Sequence, residues 1–234
     1  MAIWDDVLPE HDRQVFEAAG YGKRQGYGSR PAVIVVDVSY NFVGDTPEPI
    51  LDSIKKFRNS CGEQGWESVK QIKRLLDATR AKKLPIFYTT APPRRKSVIA
   101  GRWAGKNYRA SEIFTEATHA ANAIVEEIAP REEDILIFKD KPSAFFGTPL
   151  ISYLTELQVD SLIVAGTVTS GCVLATVLDG FSHNFKVSVV EECVFDRGEL
   201  SHKISLFNMH AWAADVVSLQ DVEEYVAELP DNLF

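Results

Sequence analysis

The chain has 234 residues, 45% of them apolar and 25% charged, which fits one large α/β domain or two small ones with a core that needs no staples. A formal net charge of −8 argues against nucleic acid or an anionic membrane surface as the partner. Three scattered cysteines (61, 172 and 193) form no CxxC pair, which excludes a disulfide framework and fits a reducing compartment. No apolar run reaches the roughly 18 residues of a spanning helix. The acidic N-terminus MAIWDDVLPEHDRQ lacks the apolar core of a signal peptide. A soluble, cytoplasmic protein is expected.

In chain order, residues 1–30 predict a short amphipathic helix and a glycine-rich connector, an N-terminal extension to a domain over 31–234. Strand-like apolar runs follow at 32–38, 85–90, 134–139, 161–167, 186–192 and 215–219. Helical patterns separate or follow them at 66–83, 119–129, 148–158, 170–185, 199–214 and 221–229. Near-continuous apolar strands alternating with helices predict an α/β fold with a parallel sheet covered on both faces. Six strands suggest a doubly wound, Rossmann-like domain with strand order 3-2-1-4-5-6. Residues 39–65 and 91–118 read as two long loops, which in a compact domain are usually functional.

Ligands of an open parallel sheet bind beyond the carboxyl ends of its strands. Asp37 ends the run VIVVD, and a carboxylate there is partly desolvated, which makes it a better base. Lys139 follows ILIF, with Lys141 as a competitor two residues on, before Pro142. A lysine near both a thiol and a carboxylate lowers the thiol pKa; a lysine alone more often snorkels into solvent. Cys172 stands where SLIVAG gives way to a helical pattern, at the positive end of a helix dipole that favours its thiolate. Gly166, Thr167, Thr169, Ser170 and Gly171 allow a tight turn whose backbone N–H groups can hold an oxyanion. Cys61, in a polar loop, and Cys193, just past a strand, have no such setting.

Weaker signals point elsewhere. GYGKRQGYG (20–28) precedes a strand, so it is not the dinucleotide fingerprint, which follows one. Five histidines (11, 119, 183, 202 and 210) show no metal-ligand spacing, and those on helical stretches read as surface or capping groups. Phe145 and Phe146, beside a glycine, can wall a pocket or pack a core. Phe42 and Trp103, one in each long loop, are further candidates to contact a substrate.

Three segments in this order, VVDVSYNF, KDKPSAFFGTPL and GTVTSGCVLATVLDG, resemble the isochorismatase-like superfamily of cysteine hydrolases. Within it they are most similar to the N-carbamoylsarcosine amidases, over residues 26–230. The resemblance implies a triad of Asp37, Lys139 and Cys172, the lysine being 139 because three residues separate it from the SAF segment. It implies a cis peptide at Thr167–Val168 and an oxyanion hole at Thr167, Val168 and Cys172. It places Arg197 on a substrate carboxylate. Nicotinamidases of the superfamily carry an Asp-x-His…His metal site after the first strand; residues 39–65 hold no histidine, so neither metal nor cofactor is expected. The implied activity is cleavage of a linear amide or N-carbamoyl C–N bond in a small carboxylate-bearing molecule. N-carbamoylsarcosine, maleamate and biuret-like ureides are candidate substrates. Homo-oligomers, tetramers or dimers, are common in the superfamily. A nonhydrolytic small-molecule binder on the same fold is the competing reading, since fold does not fix function.

Overall fold

The computed structural model describes residues 2–92, 102, 106 and 121–234. At its centre is β1 (Pro31–Val36, PAVIVV), all six residues of which are buried. A strand covered on both faces has no polar side to show, which is why it reads as an unbroken apolar run. The other strands are β2 (Ile86–Thr90), β3 (Ile135–Phe138), β4 (Ser161–Thr167), β5 (Lys186–Phe195) and β6 (Asp215–Val217). They form one six-stranded sheet of order β3-β2-β1-β4-β5-β6, every neighbouring pair parallel. This is the doubly wound topology that the sequence predicts.

Alternate residues of β1 feed two separate cores. Val33 and Val35 pack with the helices α4 (Glu63–Ala81) and α8 (Leu219–Glu228) on one face. Ala32, Ile34 and Val36 pack on the other with α5 (Leu150–Glu156), α6 (Leu174–Ser182) and α7 (Glu199–Trp212). The division follows the two-residue period of a strand. In α4 the buried residues Trp66, Val69, Ile72, Leu75, Leu76 and Thr79 recur at helical spacing and lay one stripe on the sheet.

Three expectations change. Residues 39–65, expected as a loop, contain α2 (Tyr40–Val43), α3 (Ile50–Lys56) and the start of α4. Only Ser53 of α3 is buried, so no apolar stripe announced that helix. Local pairs hold it instead: Lys55 with Asp52, Lys56 with Asp45, and a buried Ser53–Ser60 hydroxyl pair at 2.8 Å. The helix expected over 119–129 is, within its described part, helical only at residue 121; a turn, a bridge at Ile124 and one 3₁₀ turn (Glu126–Ile128) follow. Ile124 bridges Ser39, and Val125 N–H donates to the Val38 carbonyl at 3.3 Å, so the backbone pairs with the exit of β1 rather than with itself. β5 continues to Phe195, past a register shift opposite Val164 and Gly166, and so takes in Cys193.

The N-terminal helix α1 (Glu10–Ala18) buries none of its residues. The segment is tied to α7 through aromatic contacts: Trp4 on Phe207 and His210, and Phe16 on Phe207 at 4.8 Å. Lys203 of α7 donates to Asp6 at 2.6 Å.

Gly166 sets the spacing between β1 and β4. Its φ is +114°, and a Cβ there would meet the Val36 carbonyl oxygen and lie 2.6 Å from the Val36 nitrogen. Only a residue without a side chain permits that approach, one position before Asp37. Gly166→Ala is expected to cost roughly 3 kcal/mol or more through strain and overpacking. A urea titration checks this: the midpoint falls, or no cooperative transition remains.

Candidate active site

Asp37 follows β1 directly and has a left-handed backbone, φ 54°. For a residue other than glycine this costs about 1–3 kcal/mol, and such residues persist where the surroundings over-determine them. Here β2 does so. The Asp37 N–H donates to the Thr89 carbonyl at 3.0 Å and to Thr89 Oγ1 at 3.3 Å. Thr89 Oγ1 in turn donates to Asp37 Oδ1 at 2.9 Å, and Thr89 is fully buried.

Lys139 stands just past β3, its N–H donating to the Thr90 carbonyl at 3.0 Å. Its ammonium donates to Asp37 Oδ2 at 2.6 Å and to the Lys141 carbonyl at 3.1 Å, and it hydrogen-bonds the Cys172 side chain. Lys139 and Asp37 are each only 5% exposed. Burial pulls the lysine pKa down, but the charges of Asp37 and Cys172 and the hydrogen bonds to both outweigh it, so the net shift is upward. The ammonium is therefore retained throughout the neutral range. Of the two candidate lysines, Lys139 supplies the charge and Lys141 a carbonyl.

Cys172 lies in a π-helical turn, Thr169–Val173, that opens into α6. Such turns are rare and recur at functional sites. The Thr167–Val168 peptide before it is cis. Two further side chains hold the turn. Thr176 Oγ1 donates to the Cys172 carbonyl at 2.7 Å and accepts the Ala144 N–H at 3.0 Å, joining α6 to the 143–145 segment. Asp196 Oδ2 accepts the Ser170 N–H at 2.7 Å.

The structure therefore brings together Asp37, Lys139 and Cys172, with Thr167 and Val168 beside the cysteine turn. The substrate-contact candidates are more dispersed. Phe42 is buried in the core beside Val38 and Val43. Phe146 is 64% exposed, while its neighbour Phe145 is buried against His183 and Phe185. Trp103 lies outside the described residues. Arg197 Nη1 donates to the Asn59 carbonyl at 2.9 Å, and its N–H to Asp196 Oδ1 at 2.7 Å. The arginine lines a cavity of about 600 Å³ with Cys61, Phe195, Asp196 and His202, whose lining holds none of the three triad residues. Thr89 and Thr176 escaped the sequence reading, and His202, read there as a surface or capping group, instead pairs with the buried Thr169 hydroxyl. The polar end of IFYTT on an otherwise apolar strand was the one available signal for Thr89.

Among the described residues no group of three or more His, Cys, Asp or Glu is placed to hold a metal ion, and no helix is long and apolar enough to cross a membrane.

Residues 31–221 match the Isochorismatase domain family. The chain is 33% identical over 226 residues to an N-carbamoylsarcosine amidase of an Arthrobacter species, spanning 94% of this chain and 80% of that protein. It is 30% identical over 212 residues to the maleamate amidohydrolase of Pseudomonas putida, spanning 89% and 92% of the two. Among solved structures, a cysteine hydrolase from Pseudomonas syringae pv. phaseolicola superposes with a TM-score of 0.74 at 23% identity, over 85% of this chain and 92% of that one.

The three thiols differ in setting. Burial pushes Cys61 up to about 12, against smaller opposing effects of Arg197 and Thr167. Burial drives Cys193 well above its ordinary value. Both sulfurs are thus protonated at neutral pH and inert, whereas Cys172 faces an ammonium. Limiting iodoacetamide at pH 7.5 is expected to alkylate Cys172 alone, leaving Cys61 and Cys193 unmodified until the protein unfolds. Peptide mass spectrometry reads the outcome.

Proposed function

The chain belongs to the Isochorismatase domain family, and from that premise we propose that it is a cysteine-dependent amidohydrolase of small, linear, carboxylate-bearing amides or ureides. The observation that carries this reading is the buried Asp37–Lys139 pair, whose ammonium is shared with the Cys172 side chain. A carboxylate, a cation and a thiol that meet at the strand ends are the parts that thiol-based acyl transfer needs.

Asp37 takes the thiol proton as Cys172 Sγ attacks the carbonyl carbon. Lys139 offsets the negative charge that moves between the sulfur and the carboxylate. The carbonyl oxygen becomes an oxyanion and is held by the backbone N–H groups of Val168 and Cys172. Asp37 returns its proton to the nitrogen, the C–N bond breaks, and ammonia leaves. A thioester remains from an amide substrate, a thiocarbamate from an N-carbamoyl one. Water then attacks this intermediate and yields a proton to Asp37. The C–S bond breaks and the proton returns to the sulfur.

The substrate class rests on the two curated relatives. N-carbamoylsarcosine and maleamate both join a terminal C–N bond to a carboxylate within a few atoms. Arg197 is the proposed carboxylate partner: a guanidinium has five donors, and the Asn59 carbonyl occupies one side of it. N-carbamoylsarcosine is the preferred substrate, supported by the higher identity to the amidase named for it.

Ammonia release is to be measured over N-carbamoylsarcosine, other N-carbamoyl amino acids, maleamate and biuret. Cys172→Ala is expected to lower turnover of the accepted substrate by about 10⁴-fold or more, the scale seen when a nucleophile is deleted. Arg197→Ala should raise KM for carboxylate-bearing substrates and leave biuret untouched. Wild-type turnover by Cys172→Ala would end the reading in favour of a binder on the same fold.

A further inference from the structure

The nucleophile turn has an attachment that its chemistry leaves unexplained. Thr169, fully buried at the start of the π-helical turn, has its Oγ1 2.8 Å from Nδ1 of His202 on α7. The next residue, Ser170, has its N–H on Asp196, just past β5. One side of the turn is thus pinned by two adjacent hydrogen bonds from outside its own strand–helix unit. The opposite side is pinned by Thr176 and the 143–145 segment.

His202 suits such a role. The ring is largely buried, and burial lowers its pKa; Lys203 also lowers it, while Asp196 and Glu199 pull it back up. The imidazole is therefore neutral near pH 7, one nitrogen a donor and the other an acceptor, and the Thr169 hydroxyl pairs with Nδ1 in either tautomer. The ring is carried on α7, a helix of 14 residues whose far side is clasped by Trp4 and Phe16. The helix that carries the ring is in this way held by packing at Phe207.

We propose that His202 is a positioning residue for Cys172, acting through the Thr169 hydroxyl to hold the thiol toward Lys139 and the substrate carbonyl. The inference rests on the cysteine-hydrolase reading above. Its mechanism is geometric: a turn loosened at Thr169 lets the sulfur wander by a fraction of an ångström, and displacement on that scale is costly for a reacting atom.

The test compares wild type with His202→Phe, His202→Gln, Thr169→Val and the double variant His202→Phe/Thr169→Val. Two quantities are read: the alkylation rate of Cys172 by iodoacetamide at pH 7.5, and kcat for ammonia release. His202→Phe and Thr169→Val are each expected to slow alkylation and kcat by about tenfold with KM little changed. The double variant should be no slower than either single one, since both remove the same link. His202→Gln, whose amide can donate or accept, should recover most of the rate. Multiplying effects in the double variant, or wild-type alkylation in His202→Phe, would overturn the proposal. If His202→Phe does not fold, Thr169→Val and His202→Gln decide it: wild-type rates in Thr169→Val would overturn it. A wild-type protein whose Cys172 alkylates no faster than a free thiol would remove the cysteine-hydrolase reading itself, and this inference with it.

Discussion

The Asp37–Lys139 ion pair is the constraint around which the active end of this sheet is organised. β1 and β3 are not neighbours; β2 lies between them. With strands about 4.8 Å apart, the two backbones are separated by about 10 Å. A lysine's four-carbon stem reaches across that gap while the acid stays at the end of its strand. Thr89, on the intervening β2, sits under the crossing and fixes the second carboxylate oxygen. Each charge is almost fully removed from water. Losing either partner would strand the other, a defect that typically costs about 3–5 kcal/mol. The ammonium that hydrogen-bonds the Cys172 side chain thus also ties three strand ends together.

The cysteine joins that pair from the other side of β1. β4 approaches β1 so closely that Gly166 can carry no side chain, and the chain turns at once into the cis Thr167–Val168 peptide and the π-helical turn. The topological switch point lies between β1 and β4, since β2 and β3 extend one way from β1 and the later strands the other. This is where an open α/β sheet leaves a crevice. The positions of Asp37, Lys139 and Cys172 are therefore a product of strand order.

Much of this was legible in the chain alone. Buried parallel strands announce themselves as apolar runs, and the first polar residue after each run marks its carboxyl end; Asp37 and Lys139 were found that way. What stayed hidden has a common physical form. Thr89, Thr176 and His202 act on residues 52, 32 and 33 positions away, through single side-chain atoms on elements with their own packing pattern. No local period encodes such a contact. The helix α3 was invisible for the opposite reason: it is held by short-range polar pairs and turns almost nothing toward the core. Cys193 was placed beyond its strand because the strand's extension depends on a register shift against β4, which is a property of the pair.

The long separations within the site bear on how the molecule comes to be active. Asp37 and Lys139 are 102 positions apart, and the thiol arrives from the next strand in sequence, which inserts on the far side of β1. Closing loops of that length precedes any reward from the contacts, so sheets of this kind assemble slowly compared with helical bundles. A partly folded chain holding only β1 and β2 has the acid and its threonine support but neither lysine nor sulfur. Return of hydrolytic activity after denaturant is removed therefore reports the closing of the four strands β3-β2-β1-β4. It would trail any signal that reports helix formation alone.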